Sequence, residues 1–230
     1  MRYSNIIRGE FISRPNRFIA KVLIDGKEET VHVKNTGRCR ELLVPGARVY
    51  LEKSDNPARK TAYDLVAVKK GSRMINMDSQ IPNAAAEEWI RSGAFKDEIV
   101  YLKREVVYGD SRFDLYLEYM EDGIVRKAFM EVKGVTLEDN GVVRFPDAPT
   151  KRGIKHLNEL AAAAKNGYEA YILFVIQMKD VLYFEADRQI HSDFADALKT
   201  AAEAGVHVLA YDCDVTADNM VIRDPVKVLL

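Results

Sequence analysis

Asp114, Glu131 and Lys133 carry the strongest chemical signal in the chain. They lie in SRFDLYLEYMEDGIVRKAFMEVKG, two alternating runs joined by Glu121-Asp122-Gly123, a pattern that predicts a β-hairpin. Side chains on a strand alternate between faces. Arg112, Asp114, Tyr116 and Glu118 are thus expected on one face and Phe113, Leu115 and Leu117 on the other, with Glu131 and Lys133 side by side. Two acids and a lysine on one sheet face suit Mg²⁺ (or Mn²⁺). Such ions take oxygen ligands, and the ammonium can sit beside a phosphate or an attacking water. Taken by itself, Glu131-Val132-Lys133 also fits a solvated strand face with ion pairs.

Several elements must position this hairpin. Pro82-Asn83 opens a predicted helix, with Asn83 as N-cap and Gly93 as terminator. Glu87 and Glu88 fall in its early turns. The helix dipole alone accounts for them, or one points down at the metal, while Trp89 and Ile90 pack on the sheet. A β-rich run, Glu98 to Tyr108, precedes the hairpin, and a polar loop from Leu137 to Arg144 follows it. Thr150 is the expected N-cap of a helix with Ile154, Leu157, Leu160 and Ala164 at helical spacing and Gly167 at its end. Its first turns hold Lys151, Arg152, Lys155 and His156. Positive groups there oppose the dipole, which is poor for stability and suited to binding an anion, with Asp147 upstream to cap or orient them.

The run Ala170 to Ile176 is almost unbroken apolar sequence, as in a central strand covered on both faces, and Gln177 stands at its end, where ligands gather in sheets flanked by helices. A helix over roughly Asp193 to Ala204 and a strand over Val206 to Tyr211 complete an α-β-β-β-α-β-α-β order. That order predicts an α/β (α+β) mixed sheet between helices. The tail from Asp212 shows no readable chemistry.

Upstream, FIAKVLI, Thr30 to Val33, Ala47 to Leu51 and Tyr63 to Val68 are short β-like runs. They are separated by turn signals at Asp25-Gly26, Asn35-Thr36-Gly37, Pro45-Gly46 and Asn56-Pro57. A small OB-like barrel is the expected solution, a fold that binds single-stranded or duplex nucleic acid. Arg17, Asn35, Thr36, Arg38, Arg40, Arg59 and Lys60 lie on or beside its loops, where amide, hydroxyl and guanidinium groups can hold phosphate oxygens. Polar loops of any soluble protein collect such residues too.

Charge divides along the chain. Residues 1–80 contain 16 Lys+Arg and 9 Asp+Glu, whereas residues 81–230 contain 18 and 26, so the formal net charge of −1 conceals a basic unit ahead of an acidic one. These units are the expected domains, 1–80 for binding and 81–230 for chemistry. Basic surface attracts phosphate backbones by counterion release, and an acidic cleft needs a metal to receive the same backbone. With 47% hydrophobic residues the chain can build real cores. No apolar run suits a membrane span and the start lacks a signal-peptide core, so a cytoplasmic protein is expected. Cys39 and Cys213 match neither a disulfide framework nor a thiolate zinc site.

The α-β-β-β-α-β order with Asp114 and Glu131-Val132-Lys133 resembles the PD-(D/E)xK nuclease core. Across nearly its whole length the chain is similar to the sugar fermentation stimulation protein family, through RPNRFIAKV, KNTGRCRELLVPG, SDNPARKTAYDL, REVVYGDSRFDLYL, MEVKGVTL, RFPDAPTKRGIKHLNEL and GVHVLAYD. The resemblance implies an N-terminal OB-like domain, a nuclease-like C-terminal domain, largely sequence-independent DNA binding and a link to sugar metabolism. It assigns Asp114 and Glu131 to the metal, with the Val132 carbonyl, and Lys133 to the catalytic ammonium. Glu88 or Glu87 matches the acid on the first helix, and Gln177 the polar residue after the fourth strand. Arg112, Lys151, Arg152, Lys155 and His156 are then expected to clamp the DNA backbone. A non-catalytic DNA-binding regulator on the same fold is the rival expectation.

Overall fold

The computed structural model describes residues Met1–Leu230. Its first half contains β1 (Ile6–Asn16), β2 (Ile19–Ile24), β3 (Lys27–Val33), β4 (Arg48–Lys53), β5 (Tyr63–Lys70) and β6 (Arg73–Asn76). They pair in the order β3-β2-β1-β4-β5-β6, and a parallel β3–β5 pairing closes the first five into a barrel. The long β1 is absent from the alternation reading because Gly9 and Pro15 interrupt its pattern. Gly9 is there for space: a Cβ would run into the Val22 side chain of the neighbouring strand.

The second half runs α1 (Ile81–Arg91), β7 (Ile99–Tyr108), β8 (Ser111–Glu121), β9 (Ile124–Val135), β10 (Leu137–Asp139), β11 (Val142–Phe145), α2 (Lys151–Lys165), β12 (Glu169–Ile176), β13 (Tyr183–Ala186), α3 (Arg188–Glu203), β14 (Val206–Val215), β15 (Met220–Pro225) and β16 (Val228–Leu229). The main sheet has the order β15-β14-β12-β9-β8-β7, and β12 lies parallel to both β9 and β14. The predicted hairpin is present, its turn made by Asp122 and Gly123 with φ of 52° and 76°, the all-positive geometry that matches strand twist. Every residue from Ala170 to Ile176 is buried, as expected of a strand covered on both faces.

Four expectations are corrected. The Leu137–Arg144 stretch is a hairpin rather than a loop, and with β13 and β16 it forms a separate four-stranded sheet. The first helix starts at Ile81 with Gln80 as N-cap, because Pro82 already has the φ of a first turn; Asn83 is therefore inside the helix. The α3 helix begins at Arg188, capped by Asp187, and a non-helical His191 separates that turn from the predicted segment. The tail after Asp212 contributes two further strands. Thr150 caps α2 as predicted, accepting from the Gly153 N–H at 3.0 Å.

One continuous core joins the halves: Val31, Leu51 and Leu65 of the barrel belong to the same buried cluster as Leu157, Phe174 and Phe194. A second cluster on the α1 side of the main sheet holds Trp89, Ile90, Leu115, Met130 and Leu173. At the junction, buried Glu138 of β10 receives Lys70 and Arg73 of the barrel at 2.7 Å each. Both cysteines are free and buried. No helix is long and apolar enough to cross a membrane.

Candidate metal and phosphate site

The β8–β9 ladder runs from Glu121↔Ile124 to Leu115↔Met130 and then stops. Where it stops, Asp114 Oδ2 accepts the Val132 N–H at 2.8 Å, so a carboxylate stands in for a ladder carbonyl. Within a strand the N–H and C=O of one residue point to the same edge, so the Val132 carbonyl is directed into the same gap. Asp114 Oδ1 accepts from Asn83 Nδ2 of α1 at 2.7 Å. The expected alternation along β8 slips at this point. Phe113 packs with Phe129 and His156 on the α2 side of the sheet, whereas Leu115 and Leu117 join the α1-side core. Across from Asp114, Glu105 of β7 has φ of 56°. The slip frees Asp114 from the plain two-faced pattern and turns it toward β9.

Glu131 is 2% exposed. Its Oε1 accepts from Lys133 Nζ and from His156 Nδ1, the latter at 2.5 Å. Arg152 Nε donates to His156 Nε2 at 3.3 Å. A guanidinium only donates, so Nε2 is an acceptor and the proton sits on Nδ1, aimed at Glu131. Glu131 Oε2 is buried with no partner. Burial, and next the negative charge of Glu131, raise the Asp114 carboxyl above its ordinary range against the Val132 N–H, Lys133 and Asn83. Burial also acts to raise Glu131, but the His156 hydrogen bond and Lys133 outweigh it and hold that carboxyl low. Two close carboxyls with opposed shifts and one orphaned oxygen form a donor set that fits a hard divalent cation.

A cleft of about 170 Å³ opens between Asn35, Thr36 and Gly37 of the barrel and the Gly134–Leu137 segment that follows Lys133 in the chain, with Arg144 and Asp147 on its walls. Gln177 forms part of it, but as structure. Its Nε2 donates to Asn76 O, Asn76 Oδ1 and Asp78 O at 3.0–3.1 Å, tying β12 to the end of the barrel. The catalytic expectation for Gln177 is therefore corrected to a positioning one. Gly134 allows this packing, since a Cβ there would lie 2.5 Å from Gln177 Oε1 and 2.8 Å from Pro82 Cγ.

Other expected site residues go elsewhere. Glu88 accepts from the Met1 amine at 2.5 Å, and Glu87 pairs with Arg91 and Arg104, so neither acid joins Asp114. Arg59 is held by buried Asp64 in two hydrogen bonds, which removes it from the free phosphate-binding set, and neighbouring Lys60 is exposed. His156 lies behind Glu131, buried, and not on a DNA-facing surface. Lys155 donates to the Asp110 carbonyl and Arg112 lies 3.6 Å from Glu105, at the outer end of the sheet. Lys151 and Arg152 are exposed at the start of α2, where the sequence puts them. Arg17, Thr36 and Arg38 are exposed, and Asn35 is buried with its Oδ1 accepting the Gly37 N–H.

Two contributors escape a sequence reading. Asn83 takes the place expected of the acid on the first helix, and its only signal is a polar side chain in the first turn. Arg14 donates to the carbonyls of Gly37, Arg38, Arg17 and Asn35 at 2.6–2.8 Å, and nothing local distinguishes it from other barrel cations.

Comparison with known proteins agrees with this two-part layout. The family model described as the SfsA N-terminal OB domain matches residues 12–77, and that described as the sugar fermentation stimulation protein RE domain matches residues 80–219. A sugar fermentation stimulation protein homolog of Clostridium beijerinckii is 55% identical over 230 residues, covering all of both chains. That of Desulfitobacterium hafniense is 56% identical, covering 100% of this chain and 99% of its own. The solved structure of Pyrococcus furiosus SfsA in complex with Ca²⁺ superposes with a TM-score of 0.87 at 28% identity, covering 100% of this chain and 98% of the other.

Proposed function

This chain belongs to the sugar fermentation stimulation protein family, and from that premise we propose that it binds DNA and bears a Mg²⁺-dependent (or Mn²⁺-dependent) phosphodiesterase site. The observation that carries the reading is the buried, unpartnered Oε2 of Glu131 beside a carboxyl, Asp114, that is raised by burial and by Glu131 itself. Asp114, Glu131 and the Val132 carbonyl would hold the ion, which supplies Lewis-acid polarisation of a phosphoryl oxygen and a more acidic bound water. The solved relative described with Ca²⁺ binds a cation of the same oxygen preference.

The chain's own groups have separate tasks. Lys133 stands where it can orient a water or stabilise charge developing on a phosphate oxygen. His156 holds Glu131 in one orientation, as partners behind metal ligands do. Residues 1–80 act as the binding unit and 81–230 as the catalytic one, in the cytoplasm, on DNA held largely by its backbone. Incubation with single-stranded, duplex and branched DNA, with Mg²⁺, Mn²⁺ or chelator, beside Lys133→Ala, is the direct test. Metal-dependent cleavage that disappears in the variant supports the enzyme.

One observation favours a second reading, a non-catalytic DNA-binding regulator of sugar metabolism. The first helix supplies Asn83, not an acid, so the site has two carboxylates instead of three. Tight DNA binding without cleavage under every metal would select it.

A further inference from the structure

Arg14, Arg17, Arg38 and Arg40 line one cavity of about 250 Å³ on the barrel, together with Asn16, Thr36, Gly37 and Leu43, and no acid is among its lining residues. Among Arg14, Arg17, Arg38 and Arg40 there is no ion pair to a carboxylate, in contrast to Lys34, Arg59, Lys70 and Arg73 of the same barrel, which each have one. Arg14 is spent on backbone carbonyls, but Arg17, Arg38 and Arg40 are exposed and without a carboxylate partner; like charges gathered in this way repel each other and lower stability, so their concentration marks a binding surface for anions.

Beside them stands Phe18, 50% exposed, with the Arg17 guanidinium 5.6 Å from its ring centroid. A single exposed aromatic is ordinary by itself. This one is held in place. Asn16 Oδ1 accepts the N–H groups of Phe18 and Ile19, the Phe18 carbonyl accepts from Val33, and Arg14 clamps the adjoining loop through four carbonyls. The ring is thus offered to solvent on a preorganised turn, flanked by phosphate-binding groups. A duplex keeps its bases stacked inside and has no use for such a ring, whereas an unpaired base can lie on it.

We infer that the Phe18 and Arg17/Arg38/Arg40 surface is a single-strand subsite, in which a base of single-stranded nucleic acid stacks on Phe18 while its phosphates rest on the arginines. Thr36 and Gly37 line both this cavity and the cleft between the halves, and Gly134 in that cleft adjoins Lys133. A strand seated on Phe18 can thus extend past Thr36 and Gly37 into the cleft between the halves. This inference rests on the nucleic-acid-binding part of the proposed function and refines its substrate to an unpaired strand.

Fluorescence anisotropy in chelator separates binding from cleavage. The probes are labelled dT and rU oligonucleotides of about 12 nucleotides and a blunt DNA hairpin. The intact protein is expected to bind at least one of the single strands roughly tenfold or more tightly than the hairpin. Phe18→Ala is expected to weaken single-strand binding about tenfold, within the range for loss of one base stack, to leave the hairpin unchanged, and to be rescued by Phe18→Tyr. Replacing Arg17, Arg38 and Arg40 together by Ala should reduce the salt slope of single-strand binding by about 2, from about 0.7 per phosphate contact. Hairpin binding as tight as both single strands, or unchanged single-strand affinity in a Phe18→Ala protein of unaltered melting, overturns the inference and leaves the phosphodiesterase reading intact. Single-strand binding that depends on Phe18 with no cleavage under any metal upholds it while the catalytic reading falls. Failure to bind any of the probes sinks the inference and the nucleic-acid reading together.

Discussion

Asp114 accepts the backbone N–H of Val132 at 2.8 Å in the position where a β8 carbonyl would continue the ladder. The hairpin therefore opens at the end away from its turn, and the hydrogen bond that holds the opening belongs to a candidate metal ligand.

Burial and Glu131 make the charged form of Asp114 unfavourable in the folded chain, so its folded pKa is raised and its ionised state opposes folding above that pKa. Asp114→Asn in chelator is expected to keep or raise the melting temperature, since a flipped Asn83 amide can still complete the hydrogen bonds. Addition of Mg²⁺ should stabilise the parent and not the variant. A melting drop beyond about 2–4 °C in chelator, equivalent to about 1 kcal/mol in a chain of this size, contradicts the assignment.

Gly37 and Gly134 both sit where a Cβ would clash, yet the neighbours differ. At Gly134 the obstacles are Gln177, which is buried and bonded three times, and Pro82. Neither can retreat, so Gly134→Ala should cost about 1–3 kcal/mol in denaturant unfolding. At Gly37 the tighter obstacle is the carboxylate of Asp147, an exposed side chain free to turn away into solvent, and Asn35 Oδ1 at 2.9 Å is the lesser one. Gly37→Ala should leave global stability within about 0.5 kcal/mol while lowering nucleic-acid affinity. Equal costs at the two sites would show that the cleft is not built as described.

Arg14 is the fork that fixes the Asn35–Arg38 loop against the Arg17 turn. Lysine offers a single ammonium instead of a planar fork and cannot serve four carbonyls together. In Arg14→Lys the amides of residues 36–40 should exchange faster with solvent, and affinity for nucleic acid should fall although charge is retained. Unchanged exchange in that segment rules out the clamp.

Glu138 connects the halves through Lys70 and Arg73. Burial acts to raise its carboxyl, but Lys70, the Gly141 N–H and Arg73 outweigh burial and hold it below the usual glutamate value. A depressed carboxyl contributes stability that is present above its unfolded pKa of 4.5 and is lost as pH falls toward the folded value. Glu138→Gln should cost about 3 kcal/mol near neutrality, and the gap between parent and variant should narrow below about pH 4.5. A gap that is constant from neutral to acid pH argues that the carboxylate charge is not what joins the halves.

Much of this was legible in the residues. Alternation located the hairpin, turn residues its Asp122-Gly123 turn, an almost unbroken apolar run the buried Ala170–Ile176 strand, Thr150 announced the α2 start, and the Asp114, Glu131 and Lys133 spacing pointed to the candidate site. These are local properties, written in the chain as the period of its side chains and the φ demands of its turns. What tertiary structure decided is which side chains finish each other's hydrogen bonds across distant segments. Glu88 pairs with the Met1 amine at the surface, whereas Arg59 was drawn to buried Asp64, Gln177 to Asn76 and His156 behind Glu131, because a buried polar group must find a partner and the nearest one depends on packing, not on spacing. The sequence by itself determined the two-part fold and the acid-acid-lysine set. Only the folded chain decided that Asn83 supports Asp114, that Arg14 clamps the loop, and that Phe18 is left facing water among arginines with no acid to neutralise them.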